Sequence, residues 1–148
     1  MILIAQIIIV LLGFSGFLLA NYIHDTKRTS TPLVCPLEGN CETVIHSDYS
    51  KFLGIPVEVL GVLYYSVITL AYFLFAFFPS SMPEVSLYFT LILSLIAILF
   101  SIYLTAIQAF ILKHWCTWCL ISAGISSVIF IISYYISSAK ILELVQNL

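Results

Sequence analysis

The sequence predicts an all-α membrane protein: a bundle of four transmembrane helices with a long polar loop between the first and second. Two observations carry this reading. Of 148 residues, 62% are hydrophobic and only 8% are charged, whereas a soluble globular domain carries about 25% charged residues. Such a chain cannot cover itself with a polar surface. In addition, four stretches, 2–23, 56–78, 85–112 and 117–138, reach the roughly 20 apolar residues that a helix needs to cross about 30 Å of hydrocarbon.

Ile2 to Ile23 contains no charged side chain. It lacks a basic leading region, and its apolar run exceeds the roughly 7–15 residues of a signal-peptide core. It is therefore expected to be a retained span. Residues 24–55 form the polar loop. Gly54-Ile55-Pro56 then marks the start of the second span, because proline in a first helical turn gives up no hydrogen bond. That span contains one charge, Glu58, and stops at Pro79. After a turn at 79–84, the third span, Val85 to Leu112, is uncharged and long enough to tilt or project beyond the headgroups. Thr117 to Ser138 forms the fourth, followed by a short tail. Each helix satisfies its own backbone polar groups, as hydrocarbon demands. Gly61, Ser94, Ser101 and Gly124 are the small residues expected to let helices approach. The whole chain, 1–148, reads as one membrane domain.

The net charge of −2 offers no basic stripe, which excludes nucleic acid as a partner. The spans hold almost none of the ionisable side chains that mark transport paths; Glu58 is the exception. The remaining chemistry lies in four cysteines, Cys35, Cys41, Cys116 and Cys119. Chain parity places them together. The loop lies where the first helix ends, the second helix crosses away, and the third returns. Cys116 and Cys119 then open the fourth helix on the loop's face. Two dithiol pairs at a bilayer edge suit electron passage between thiols and a lipid-soluble acceptor.

Trp115-Cys116-Thr117-Trp118-Cys119 sets a C-x-x-C in a first helical turn, where free N–H groups and the helix dipole favour a thiolate. Cys116 is expected to be the more acidic and accessible, and Cys119, one turn deeper, to face the bilayer. A protonated His114 would add to this effect. Trp115 and Trp118 read as interface anchors that can also flank a bound ring. Cys35-Pro-Leu-Glu-Gly-Asn-Cys41 can close a short disulfide through its Pro36 and Gly39 turn. A non-enzymatic alternative uses the cysteines as a staple or zinc clamp, although C-x5-C is wide for zinc; no metal is expected. Ser47 has a hydroxyl able to meet a ligand oxygen, and Tyr103, near the cysteine face, is the aromatic side chain to test for a quinone contact.

Cys35-x5-Cys41 with the following run to Ser47 and Pro56, Gly61-Val-Leu-Tyr-Tyr65, and Cys116-Thr-Trp-Cys119 together resemble the vitamin K epoxide reductase family. The likeness is closest to prokaryotic disulfide-forming members and covers nearly the whole chain. It implies a quinone-dependent thiol–disulfide oxidoreductase that uses ubiquinone or menaquinone as acceptor. A reduced thioredoxin-fold partner attacks the Cys35–Cys41 disulfide, the loop dithiol reduces Cys116–Cys119, and Cys119 delivers electrons to the quinone. Ser47 matches the family's loop serine or threonine near the quinone. Two departures stand out. Members acting on the epoxide carry asparagine and tyrosine where this chain has Val57 and Ala123, which favours plain quinone reduction. Many prokaryotic members carry a fused thioredoxin-like domain, whereas this sequence stops at Leu148, so the partner is expected to be a separate protein.

The expected location is the cell (inner) membrane, with the active face extracytoplasmic, where disulfides form. The charge pattern pulls the other way. Lys27, Arg28, Lys51 and Lys113 share the cysteine face, against Lys140 and the amino terminus opposite; by the positive-inside rule that face is cytoplasmic.

Overall fold

The computed structural model describes residues 1–80 and 83–148. Its elements are α1 (Ile2–Arg28), α2 (Cys41–Ile45), a 3₁₀ turn (Asp48–Ser50), strands β1 (Lys51–Phe52) and β2 (Ile55–Pro56), α3 (Val57–Phe77), α4 (Val85–Ala106) and α5 (Thr117–Gln146). α4 continues as a π-helical turn over Ile107–Leu112. Among the described residues four helices are long and apolar enough to cross a membrane: α1, α3, α4 with its extension, and α5. The turn expected at 79–84 includes positions 81–82, which lie outside the described residues.

Two helices outrun their apolar spans. α1 continues to Arg28, with Lys27 and Arg28 in its last turn, where cations complement the dipole. α5 runs through Lys140 to Gln146, because Ala, Leu, Glu and Gln keep helix propensity after hydropathy has fallen. Hydropathy bounds the part of a helix that lipid covers, and the helix itself can extend further.

Before α3, β1 and β2 pair antiparallel, Lys51 with Pro56 and Phe52 with Ile55. Leu53 and Gly54 turn the hairpin at φ 53° and 83°, the two positive values that a type I′ turn requires. Pro56 thus closes a hairpin and caps α3 from outside.

α1 packs closely along α3. A Cβ at Gly13 would collide with Thr69, and one at Gly16 with the Tyr65 ring. Gly61 lies 3.5 Å, at its notional Cβ, from the Cβ of Ala20. Gly124 has no neighbour within 4 Å of that position, so its expected role in close approach is not realised; Gly13 and Gly16 carry it. Ile9, Tyr65, Ile68, Tyr72, Ile129 and Ile136 form the centre of the bundle. The buried Tyr65 hydroxyl lies 2.8 Å from Ser122 Oγ, 2.8 Å from the Ser122 carbonyl and 3.0 Å from Ser126 Oγ. An unpaired hydroxyl would be costly in an apolar interior, and this cluster fastens α3 to α5. α4 packs mainly on α5 and touches α3 sparingly. The space left between α3 and α4 becomes important at the cysteine end.

Candidate active site

Cys35 and Cys41 are joined in a disulfide, with Cα atoms 5.8 Å apart. Cys41 opens the short helix α2. With Leu33, Val44 and Ile45 it buries an apolar underside against Ile23 of α1 and Cys116, while Cys35 and Cys119 pack on the same cluster. All four cysteines therefore meet, as chain parity requires.

Three contacts seat the loop on the start of α5. The Trp118 indole N–H donates to the Val34 carbonyl at 3.0 Å. Asn40 Nδ2 and His114 Nδ1 are 3.3 Å apart. Gly39 passes so close that a Cβ there would sit 2.5 Å from the Trp115 carbonyl oxygen and 3.2 Å from Cys35 Sγ. Trp118 also meets the Tyr22 ring edge-on at 5.6 Å. Trp118 thus supports the loop with its side chain and Trp115 meets it through its backbone carbonyl, and neither is among the described residues that line the cavity described below. His114 engages Asn40 of the loop, which gives this imidazole a positional part.

Cys116 caps α5, and its Sγ accepts the Cys119 N–H at 3.3 Å. Its own N–H donates to Gln108 Oε1 at 3.1 Å. The Cys116 thiol is pushed below the ordinary cysteine value, chiefly by the hydrogen bond from the Cys119 side chain. Burial opposes this, and the N–H groups of Cys119 and Trp118 assist it. Acidity thus agrees with the sequence expectation, but accessibility does not. Cys116 is wholly buried while Cys119 is partly exposed, because the folded loop covers the first turn of α5.

Cys119 opens onto a cavity of about 1000 Å³ between α3, α4, α5 and the loop. Ser47 and Tyr103 line it, as do Val57 and Ala123. The Ser47 hydroxyl donates to the Val44 carbonyl at 2.7 Å, leaving its lone pairs toward other partners. Tyr103 is half exposed. Among the described lining residues Glu58 alone is charged. Its carboxylate pairs with Lys27 Nζ at 3.2 Å and lies 3.8 Å from His24 Nδ1. Among the described residues no three His, Cys, Asp or Glu side chains converge as a metal-ligand set.

Sequence reasoning overlooked Gln108, which both holds the Cys116 backbone and borders the cavity. The available signal was its solitude: it is the lone amide in an otherwise uncharged 85–112 span, and polar groups at membrane depth are there for a reason.

A membrane bundle that brings one disulfide and one C-x-x-C dithiol together over an apolar cavity defines a class, the membrane thiol–disulfide oxidoreductases. Residues 4–134 match the profile of the Vitamin K epoxide reductase family, and the chain belongs to that family.

Proposed function

We propose that this protein oxidises a separate thioredoxin-fold partner and passes the electrons through Cys35/Cys41 and then Cys116/Cys119 to a membrane quinone, in support of disulfide-bond formation. The observation that carries the reading is the division of labour among the sulfurs. Cys35 is partly exposed on the loop, Cys41 and Cys116 share one buried cluster, and Cys119 borders the cavity.

A partner thiolate attacks the loop disulfide at the exposed Cys35. Reduced Cys41, which packs in the Cys116 cluster, then attacks Cys116 of an oxidised helix pair, and Cys119 leaves as the thiolate. Each exchange is the attack of a thiolate on a disulfide through a mixed disulfide. The raised acidity of Cys116 and the N–H groups around its sulfur make it a good leaving and attacking group. A disulfide in the loop beside a reduced helix pair corresponds, in this reading, to the stage after the loop has passed its electrons inward.

The cavity residues fit a quinone. The walls are largely aliphatic and aromatic, and polar side chains, Ser47, Tyr103, Glu58 and Gln108 among them, punctuate the space. Ser47 and Tyr103 are assigned as its contacts, with Cys119 as the reactive neighbour; ubiquinone or menaquinone, when bound, supplies a two-electron, two-proton acceptor. Val57 and Ala123 present only apolar surface to this space, which supports a plain quinone over an epoxide.

Purified protein in nanodiscs, supplied with a reduced thioredoxin-fold thiol oxidase and a menaquinone or ubiquinone analogue, should form one partner disulfide per quinol. Partner oxidation without quinol formation would overturn the proposal. We assign the cysteine face to the extracytoplasmic side of the cell membrane. In intact cells, an impermeant maleimide should label a Leu37→Cys variant, since Leu37 lies on the exposed loop; labelling only after lysis would reverse the assignment.

A further inference from the structure

Glu58 stands out as a carboxylate in the first turn of a membrane helix, its side chain only 8% exposed. Burying an ionised group is costly even after relaxation, so a membrane helix retains one only with partners. Here the partners come from the water side. Lys27 holds Glu58 at 3.2 Å and also donates to Ser50 Oγ at 3.2 Å. His24 approaches within 3.8 Å, with a buried Nδ1 that has no hydrogen-bond partner among the described residues and a side chain 34% exposed. On its other side Glu58 borders the cavity that also holds Cys119.

We propose that Glu58 is the proton carrier of this cavity, moving a proton from the Cys119 thiol to the acceptor's oxygen. The inference rests on the quinone reading above. Forming the Cys116–Cys119 bond releases two electrons and two protons, and reduction of a quinone to a quinol consumes both. Cys116, the more acidic thiol, sheds its proton first, and its thiolate bonds to Cys119 sulfur as Cys119 gives up its proton and an electron pair passes to the quinone acceptor. The Cys119 proton must reach an oxygen inside an apolar space, where water is a poor courier. A carboxylate accepts that proton and, once neutral, donates it. Lys27 holds the carboxylate in place between transfers, and His24, able to accept and donate through its ring nitrogens, connects it to the aqueous edge and the second proton.

The test uses the full-length protein in nanodiscs, comparing wild type with Glu58→Gln and Glu58→Asp. The first reading is taken without quinone: the pH dependence of Cys119 alkylation in reduced protein, resolved by mass spectrometry. Removing a negative charge from the cavity that Cys119 borders favours the Cys119 thiolate, so Glu58→Gln should move the Cys119 midpoint down by up to about one pH unit. The other titratable side chains bordering Cys119, Glu58 or the cavity are Cys116, His24, Lys27, Tyr49, Tyr64, Tyr65 and Tyr103. None is altered in the variant, so the shift reports the carboxylate. The second reading is single-turnover oxidation of the reduced protein by a menaquinone analogue. Loss of a positioned acid–base group costs about 10²–10⁴-fold, so Glu58→Gln should slow this step about 100-fold although its thiolate forms more readily, and Glu58→Asp should recover part of the rate.

An unmoved midpoint, or a Glu58→Gln oxidation rate equal to wild type, overturns the carrier assignment. Wild-type protein that quinone fails to oxidise overturns the functional reading itself, so the two failures are distinguishable. Should Glu58→Gln not accumulate, Glu58→Gln combined with Lys27→Met removes the pair without stranding a buried ammonium, and the oxidation rate alone then decides: about 100-fold slower for a carrier, equal to wild type if Glu58 carries no proton.

Discussion

The two cysteine pairs carry the same atoms in opposite settings. Cys35 and Cys41 sit on a loop held down by a few polar contacts to α5, with one sulfur partly exposed and the other buried. Cys116 and Cys119 are built into a helix terminus, with the Cys116 backbone fixed by Gln108 and its sulfur by the Cys119 N–H. The first setting leaves Cys35 partly exposed, as attack by a partner thiol in the proposed function requires. The second shields its pair from water and points one sulfur at the cavity. In the proposed function, the order of electron transfer follows from what surrounds each pair.

The comparison is broken most severely by disabling one pair at a time. Cys35→Ser with Cys41→Ser should reduce partner oxidation to background, while quinone still oxidises Cys116 and Cys119 in the same molecules. Differential alkylation with mass spectrometry reads both; a double variant that still oxidises the partner at the wild-type rate would remove the loop from the path. Gln108→Leu comes next. It leaves the buried Cys116 N–H without an acceptor, a loss of about 1–3 kcal/mol, visible as a lower denaturation midpoint with the loop disulfide still formed.

Acidity separates the pairs more gently. In reduced protein, Cys116 should react with a small alkylating reagent with a midpoint below that of an ordinary cysteine, because its lowered value keeps the thiolate populated as pH falls. Cys119→Ala removes the side-chain donor that contributes most to this effect, so the midpoint should rise; a midpoint unaffected by that change would assign the acidity elsewhere. The smallest effect is expected from Trp118→Phe. It deletes the hydrogen bond to Val34, worth about 1 kcal/mol, and should raise amide exchange across residues 33–41 about fivefold while the α5 amides beyond Leu120 are unchanged.

The spans were legible because hydrocarbon imposes a length and a polarity that few other environments share. Parity then followed from the number of crossings, and it placed Cys116 and Cys119 beside the loop without any knowledge of packing. The limits are as physical as the successes. α5 passes Lys140 because helix formation does not need lipid. The 51–56 hairpin has strands of two residues, too short for alternation to register, although Leu53-Gly54 marks its turn. Burial of Cys116 depends on the loop folding back over it, a tertiary event with no local signal. The cavity arises from the loose contact between α3 and α4, and its wall combines Glu58 on one helix with Gln108 on another and Cys119 on a third.

The central claim is that electrons enter the cavity only through Cys119. The direct measurement reduces all four cysteines, adds a quinone analogue, and follows each pair by quenched differential alkylation in wild type and Cys119→Ser. The account predicts that wild type oxidises Cys116–Cys119 first and Cys35–Cys41 afterwards, and that the loop pair of Cys119→Ser stays reduced. Quinone-driven closure of the Cys35–Cys41 disulfide in Cys119→Ser at the wild-type rate would contradict it.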